Sequence, residues 1–364
     1  MAGRRNRYGY QEYRGRGSGR SVLIFIIVLL AVLLIAGVAF MFFMGNYINY
    51  TPNGLEINWP WLYQEPSAQP AVTDPVVVET DGMVVTEEPT VEPTLEPTDP
   101  PVQYEPLAAV VVTADQLRYG SAAQAVANAG GNALVVEMKA TTGKLAWRSR
   151  TEMAASLYVN AANDGVADAI RELAQNGDIY LIARVHCFRD HSLANAWVGS
   201  MLSKRGRVWY DYYGTGWSSP ANQQAADYLT ALCLELAEMG FDEILLDDVG
   251  YPCEGELNAL DTNDNRPEDR TVPVAAFLQR LAGEMEGKDV RLSMYVYENV
   301  IPGGELYSGL TADVLAQNAG RVWLDKRVDR GYYESALSAA GLDNLTARVV
   351  APAANAAEGG SWYQ

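Results

Sequence analysis

Histidine and cysteine are scarce in this chain, with two His and three Cys among 364 residues. A structural zinc site needs four such ligands at close, paired spacings, and five scattered ones leave no room for it. A basic excess is also missing. Against 45 Asp and Glu stand 27 Lys and Arg, a net charge of −18. Nucleic acid, whose phosphates need a basic face, is therefore excluded as the main partner. No Walker-type phosphate loop is present, no Gly-x-Gly-x-x-Gly follows the first candidate strand, and no Ser- or Cys-nucleophile signature can be assembled. Asp261–Asn265 begins like a calcium loop, but Arg266 and Val272 stand where that loop needs Gly and Glu. No cofactor and no metal are expected.

What is present is uneven. Residues 1–20 hold six Arg and one Glu, and Val22 to Phe43 is a run without a single charge. At about 1.5 Å per residue such a run crosses the hydrocarbon core of a bilayer. It is longer than a signal-peptide core, and no Ala-x-Ala cleavage site follows it. The reading is a basic cytoplasmic tail (1–21) and a single transmembrane helix (22–44) in contact with lipid. The arginines keep the N-terminus inside, so everything beyond lies outside the cytoplasm. Residues 45–106 then form an acidic Pro/Thr-rich stalk, with Glu-Pro-Thr units at 88–90, 92–94 and 96–98. Proline and mutual acid repulsion favour an extended, disordered spacer there. Cys187, Cys233 and Cys253 would meet an oxidising compartment. A 187–233 pair, a 233–253 pair and buried free thiols all fit their spacing.

Residues 107–364 have the size of one (β/α)8 barrel. Strand-like runs at 108–113, 132–139, 179–188, 243–249, 290–297, 321–325 and 346–351 alternate with helical stretches, which favours parallel βαβ units. Only the terminal 360–364 is left for an eighth strand, so that strand is expected to be irregular or incomplete. An open doubly wound sheet is the competing architecture. Alternation along the strands groups Val135, Glu137 and Lys139; Ile182, Arg184 and His186; Leu245 and Asp247; and Ser293, Tyr295 and Tyr297. Asp248 falls on the opposite face from Asp247. Polar residues gather at the C-terminal strand ends, where a barrel carries its site; a buried ion-pair network without function is the other account of them.

Three segments carry a resemblance. Phe241–Pro252 resembles the "GFDEIxFDYxRFP" segment of a bacterial family catalogued as "putative glycoside hydrolase" domains, which is similar to the α-amylase-like barrels. Asn132–Lys139 with Gly143 resembles that family's "NAxVIDxKDxxG" strand, and Ile179–Asp190 its "IYxIARxxxFxD" strand. Trp217, Pro220 and Tyr228 fall in its "WVDP…YN" stretch. The resemblance implies a sugar-cleaving barrel with an acidic residue after the fourth strand, a position held by Asp247; beside Arg184 and Lys139 that carboxylate is expected to stay ionised, as a nucleophile or electrostatic stabiliser. A proton donor is expected from Glu298 or Glu137, because the family's inward Asp on the fifth strand is replaced here by Tyr295. The family's Arg in "YxRFP" is replaced by Gly250, and its "PMxYPSHY" segment has no counterpart in Trp323–Arg327.

Lys139, Arg184, His186, Asp190, Trp217, Asp248 and Tyr295 are then the substrate-binding candidates, with Trp217 part of an aromatic loop that includes Trp209, Tyr210, Tyr212 and Tyr213. Two functions follow. One is a membrane-anchored glycoside hydrolase acting on cell-surface or extracellular polysaccharide. The other is a catalytically inactive barrel that binds cell-wall glycan or a surface protein. A second carboxyl about 5–9.5 Å from Asp247 distinguishes the first.

Overall fold

A computed structural model describes residues 48–51, 54–57, 103–263, 266–297 and 308–364. The chain divides into two units, Met1–Thr94 and Leu95–Gln364. In the first, β1 (Ile48–Thr51) and β2 (Gly54–Ile57) pair antiparallel, with Ile48 opposite Ile57 and Thr51 opposite Gly54. The expected tail and transmembrane span lie outside the described residues, as does the stalk apart from this hairpin and residues 103–106. Among the described residues, no helix is long and apolar enough to cross a membrane.

The second unit is a closed barrel of eight parallel strands. They are β3 (Ala108–Val112), β4 (Ala133–Lys139), β5 (Tyr180–His186), β6 (Glu243–Asp247), β7 (Arg291–Val296), β8 (Val322–Leu324), β9 (Val349–Pro352) and β10 (Trp362–Tyr363). Helices α1 (Ala114–Arg118) and α2 (Ala122–Asn128) follow β3, and α3 (Glu152–Ser156) and α4 (Gly165–Asn176) follow β4. Next come α5 (His191–Asn195) and α6 (Gln223–Met239) after β5, and α7 (Thr271–Met285) after β6. The circuit ends with α8 (Ala312–Asn318), α9 (Arg330–Ala339) and α10 (Leu345–Arg348). The closed ring rules out the open sheet. The eighth strand is only two residues long, and it closes the barrel because Trp362 pairs with Ala108 on one side and Ala351 on the other.

Alternation explains the layers. Ala133 and Val135 point inward with Ala109, Ile182, Leu245, Tyr295, Trp323 and Val350, forming a small interior core. Leu134, Val136 and Met138 point outward into the larger core beneath the helices. Several helices begin where a side chain accepts a backbone N–H: Asn222 caps α6, Thr311 α8 and Asp329 α9.

The N-terminal end of the barrel is closed by charge. Glu243, fully buried, accepts from Arg321 at 2.5 Å, from the Trp323 indole at 3.1 Å and from the Tyr180 hydroxyl at 3.1 Å. Beneath this group lies Tyr104, at the end of the expected stalk. Its ring packs against the guanidinium groups of Arg291, Arg321 and Arg348, 4.9–5.3 Å from the ring centre. Arg321 also donates to the Glu105 carbonyl, and Asn344 donates to that of Tyr104. The folded unit thus takes in residues that composition alone assigned to the spacer.

Removing Glu243 strands a buried guanidinium. Glu243→Ala should therefore cost about 3–5 kcal/mol. The paired change Glu243→Leu with Arg321→Met should recover most of it. Urea unfolding followed by circular dichroism measures both; equal losses in the single and double variants would show that the charge pair is not the cause.

Candidate active site

The site is assembled by the register of two strands. His186 on β5 lies opposite Asp247 on β6, and Arg184 opposite Leu245, so both cations flank the Asp247 carboxylate. Asp247 is fully buried. Its Oδ2 accepts from Arg184 Nε at 2.8 Å and Nη2 at 2.5 Å, and its Oδ1 accepts from the Tyr297 hydroxyl and the Asp248 amide, each at 2.8 Å. Strand alternation would send Asp248 away, but its backbone is left-handed, φ 51°, a conformation Asp tolerates. The turn swings its carboxylate back onto His186, with Nδ1 and Oδ2 2.7 Å apart. Hydrogen bonds from the Cys187 and Phe188 amides to the carbonyls of Asp247 and Asp248 hold that segment. On its other side His186 Nε2 lies 3.3 Å from Glu137.

The environments push the two neighbouring carboxyls apart. Burial alone would raise Asp247, but the charges of His186 and Arg184 and the bonds from Arg184 and Tyr297 outweigh it and hold the group below the usual range. Burial, and then the charge of Asp247, raise Asp248 despite the His186 bond. For His186, burial is overcome by Asp247, Asp248 and Glu137, which lift it to about 9. Glu137 is lowered by its bond to His186. Tyr297 is raised by burial and by both aspartates, so it stays a hydroxyl donor.

Asp248, with its side chain 5% exposed, forms part of the wall of a cavity of about 220 Å³. Tyr295 and Tyr297 form another part; Trp217, Tyr212 and Tyr213 a third; and Arg189, Glu254 and Arg327 supply charge. Asp211 ties the aromatic loop down, accepting from Arg189, the Trp217 indole and the amides of Tyr213 and Thr215. Within that loop Trp209 and Trp217 are buried, while Tyr210, Tyr212 and Tyr213 are exposed. Tyr295 donates to Asp325, and the Arg184 guanidinium lies 4.4 Å above its ring. Gly250, standing where the family has Arg, has a local cause: a Cβ there would lie 2.3 Å from the Ser308 carbonyl oxygen.

Several sequence expectations need correction. Lys139 and Asp190 do not face the opening; both are fully buried, 2.8 Å apart. The strand register shifts between Glu137 and Lys139, so Lys139 turns outward, donating to the His186 carbonyl, while Asp190 caps α5. Gly143 fits this arrangement, since at φ 87° a Cβ would meet Asp190 at 2.6 Å. Glu137 stands at the mouth, its side chain 54% exposed, and its lowered proton affinity is the reverse of what a donor needs. Glu298 lies outside the described residues. Among the described residues, no open cleft separates Asp247 from a second carboxyl: Asp248 offers an oxygen within 4.8 Å, and Asp247 itself is buried. The three cysteines are free thiols, Cys187 and Cys233 fully buried.

Tyr297, Arg189, Glu254 and Arg327 were missed as site residues. Strand alternation already placed Tyr297 beside Tyr295, whereas Arg189, Glu254 and Arg327 sit on loops that carry no periodicity. His186, Asp247 and Asp248 bring three potential metal ligands together. Arg184 and Tyr297 already fill the acceptor positions of Asp247, so a cation would have to displace a guanidinium. The donor set is that of an ion-pair network.

Residues 108–309 match the family model described as "Putative glycosyl hydrolase domain", more than half of the chain. The chain belongs to that family. The match runs from β3 through β7 and includes Asp247 and Asp248. No curated protein matches. Among solved structures, the barrel is similar to a hypothetical protein of Ruminiclostridium thermocellum ATCC 27405, 20% identical over 50% of this chain and 96% of that one, with a TM-score of 0.44. It is also similar to the PgaB (BpsB) glycoside hydrolase domain of Bordetella bronchiseptica, at 13% identity, 67% and 83% coverage and a TM-score of 0.46. The GH20 β-N-acetylhexosaminidase of Streptomyces coelicolor A3(2) is 12% identical over 70% of this chain and 49% of its own, with a TM-score of 0.41. At these scores none of the three carries an argument about this chain.

The raised His186 has a stability consequence. Its folded value of about 9 lies above the ordinary 6.5, so the folded state holds the proton more tightly. This contribution is fully present below pH 6.5 and is lost as pH rises through about 9. His186→Gln should melt lower at neutral pH and show a shallower decline across that window. Thermal melts at stepped pH test this; parallel curves for the two proteins would remove His186 as the cause.

Proposed function

We propose that the barrel is a glycoside hydrolase acting on cell-surface or extracellular polysaccharide. The observation that carries this reading is the carboxyl pair at the C-terminal end of β6, one member held ionised and the other pushed toward its protonated form beside an aromatic-walled cavity. Glycosidic cleavage needs a proton for the departing oxygen and negative charge near the oxocarbenium-like transition state. Asp248, which reaches the cavity, donates the proton. Asp247 keeps its charge through Arg184 and Tyr297 and stabilises the developing positive charge from behind. Among the cavity carboxylates Asp211 has its acceptor positions filled, whereas Glu254 accepts one long bond, from Arg327 at 3.3 Å. Glu254 is therefore assigned as the base that activates water. Tyr212, Tyr213 and Trp217 provide flat faces for sugar rings. The kinship with α-amylase-like barrels belongs to this same reading, on the strength of the Phe241–Pro252 segment.

Asp248→Asn should lower turnover of unactivated glycans by roughly 10²–10⁴-fold, and by much less on aryl glycosides whose leaving group needs no proton. Reducing-end release over a glycan panel measures this. Undiminished turnover in the variant would remove Asp248 from the chemistry. One observation favours the inactive, glycan-binding barrel: Asp247, the acid of the family motif, is sealed and cannot attack a sugar carbon. Wild-type protein that retains glycan without releasing reducing ends would establish that alternative.

The same reading places residues 22–44 as a single-pass anchor, with the N-terminus in the cytoplasm and the barrel outside on its acidic stalk. The uncharged run and the arginines before it support this. Protease added to intact expressing cells should release a soluble fragment close to residues 107–364. A barrel protected until the cells are lysed would contradict the orientation.

A further inference from the structure

Lys204, Arg205 and Arg207 put three cations into four positions of a chain whose net charge is −18. All three are exposed, and none has an ion pair or a side-chain hydrogen bond among the described residues. By contrast Arg184, Arg189, Arg321 and Arg327 are each tied to a carboxylate. The loop that bears them is held in place. Leu202 bridges Val208, the Ser203 amide donates to the Arg207 carbonyl at 2.8 Å, and the Lys204 amide donates to the Ala259 carbonyl at 2.8 Å. The three charges therefore project from a fixed backbone.

They line a groove of about 1120 Å³ together with Trp197, Tyr210 and Tyr212. Trp197 is 63% exposed and Tyr212 72%. Trp197 is also held in the left-handed region, φ 62°, an unfavourable conformation for a large side chain. Tyr212 and Asp211 line both this groove and the cavity walled by Asp248, so the two adjoin. The acids on the groove are Asp211, already committed to Arg189, and Glu256, which has no cation partner among the described residues. Aromatic faces serve any sugar ring, but three exposed cations in a chain of net charge −18 favour a glycan that carries negative charge. An anionic chain meets repulsion from most of this protein and attraction here.

We infer that the groove extends the cavity as a binding track for acidic polysaccharide, a glycan bearing carboxylate or phosphodiester groups. This names the substrate class for the glycoside hydrolase reading and rests on it. A lipid surface, which also offers phosphate, presents no sugar rings to the faces of Trp197, Tyr210 and Tyr212.

The test uses full-length protein carrying Asp248→Asn, so that binding is read without turnover, on immobilised polygalacturonate, teichoic acid and a neutral β-glucan. One of the two acidic polymers should bind at least about tenfold more tightly than the neutral one, weaken as salt is raised, and lose about tenfold in the Lys204→Gln/Arg205→Gln/Arg207→Gln variant. Whichever acidic polymer binds more tightly identifies the anionic group. Equal affinity for neutral and acidic polymers, an unaffected triple variant, or preferential binding to anionic phospholipid vesicles would each overturn the inference. Charge-selective binding in a protein whose wild type releases no reducing ends would leave this inference standing and defeat the hydrolase reading alone. Hydrolysis without charge selectivity would do the reverse.

Discussion

Two consecutive aspartates inside a barrel are tolerable only if cations meet them, and the rest of the site follows from that constraint. The cations come from one strand away. Because β5 and β6 pair in parallel with His186 opposite Asp247, Arg184 and His186 point to the same side and reach the acids without a loop having to fold over them. The result is a chain of charge from Glu137 through His186 to Asp247 and Asp248, with Arg184 and Tyr297 closing it. Burial strengthens each pairing and makes any missing partner costly.

The barrel has a second buried ionic group at its other end, and the two differ in a telling way. Glu243 and Arg321 are both nearly inaccessible and are satisfied entirely by protein atoms. At the C-terminal end Glu137 and Arg184 keep part of their surface open, and Asp248 reaches the cavity. One group seals the fold, whereas the other presents charge to whatever enters. Position along the strands separates the two roles, as expected where loops at one end build the site and the opposite end supports stability.

Most of the architecture was legible because strand alternation and helix periodicity repeat over many residues. The two-residue β10 was anticipated at the right place for lack of any other eighth candidate. Legibility failed where one backbone angle or one register shift decides a direction. Lys139 was read as inward because alternation counts residues and cannot register the irregularity after Glu137. Asp248 was placed on the wrong face because alternation assumes extended backbone, and its φ of 51° is not extended. Tyr104 went unnoticed because its neighbours have the composition of a spacer, and its partners Arg291, Arg321 and Arg348 are scattered through the last quarter of the chain.

The packing of Tyr104 also has a mechanical meaning. Three guanidinium groups, from the start of β7 and from the residues just before β8 and β9, converge on one phenol ring, so a pull on the chain arriving there is shared among three strands and opposed by the Glu243 cluster above them. The load enters at the floor and is borne along the strand axes. The loops around Asp248 lie outside that path, at the opposite ends of the strands.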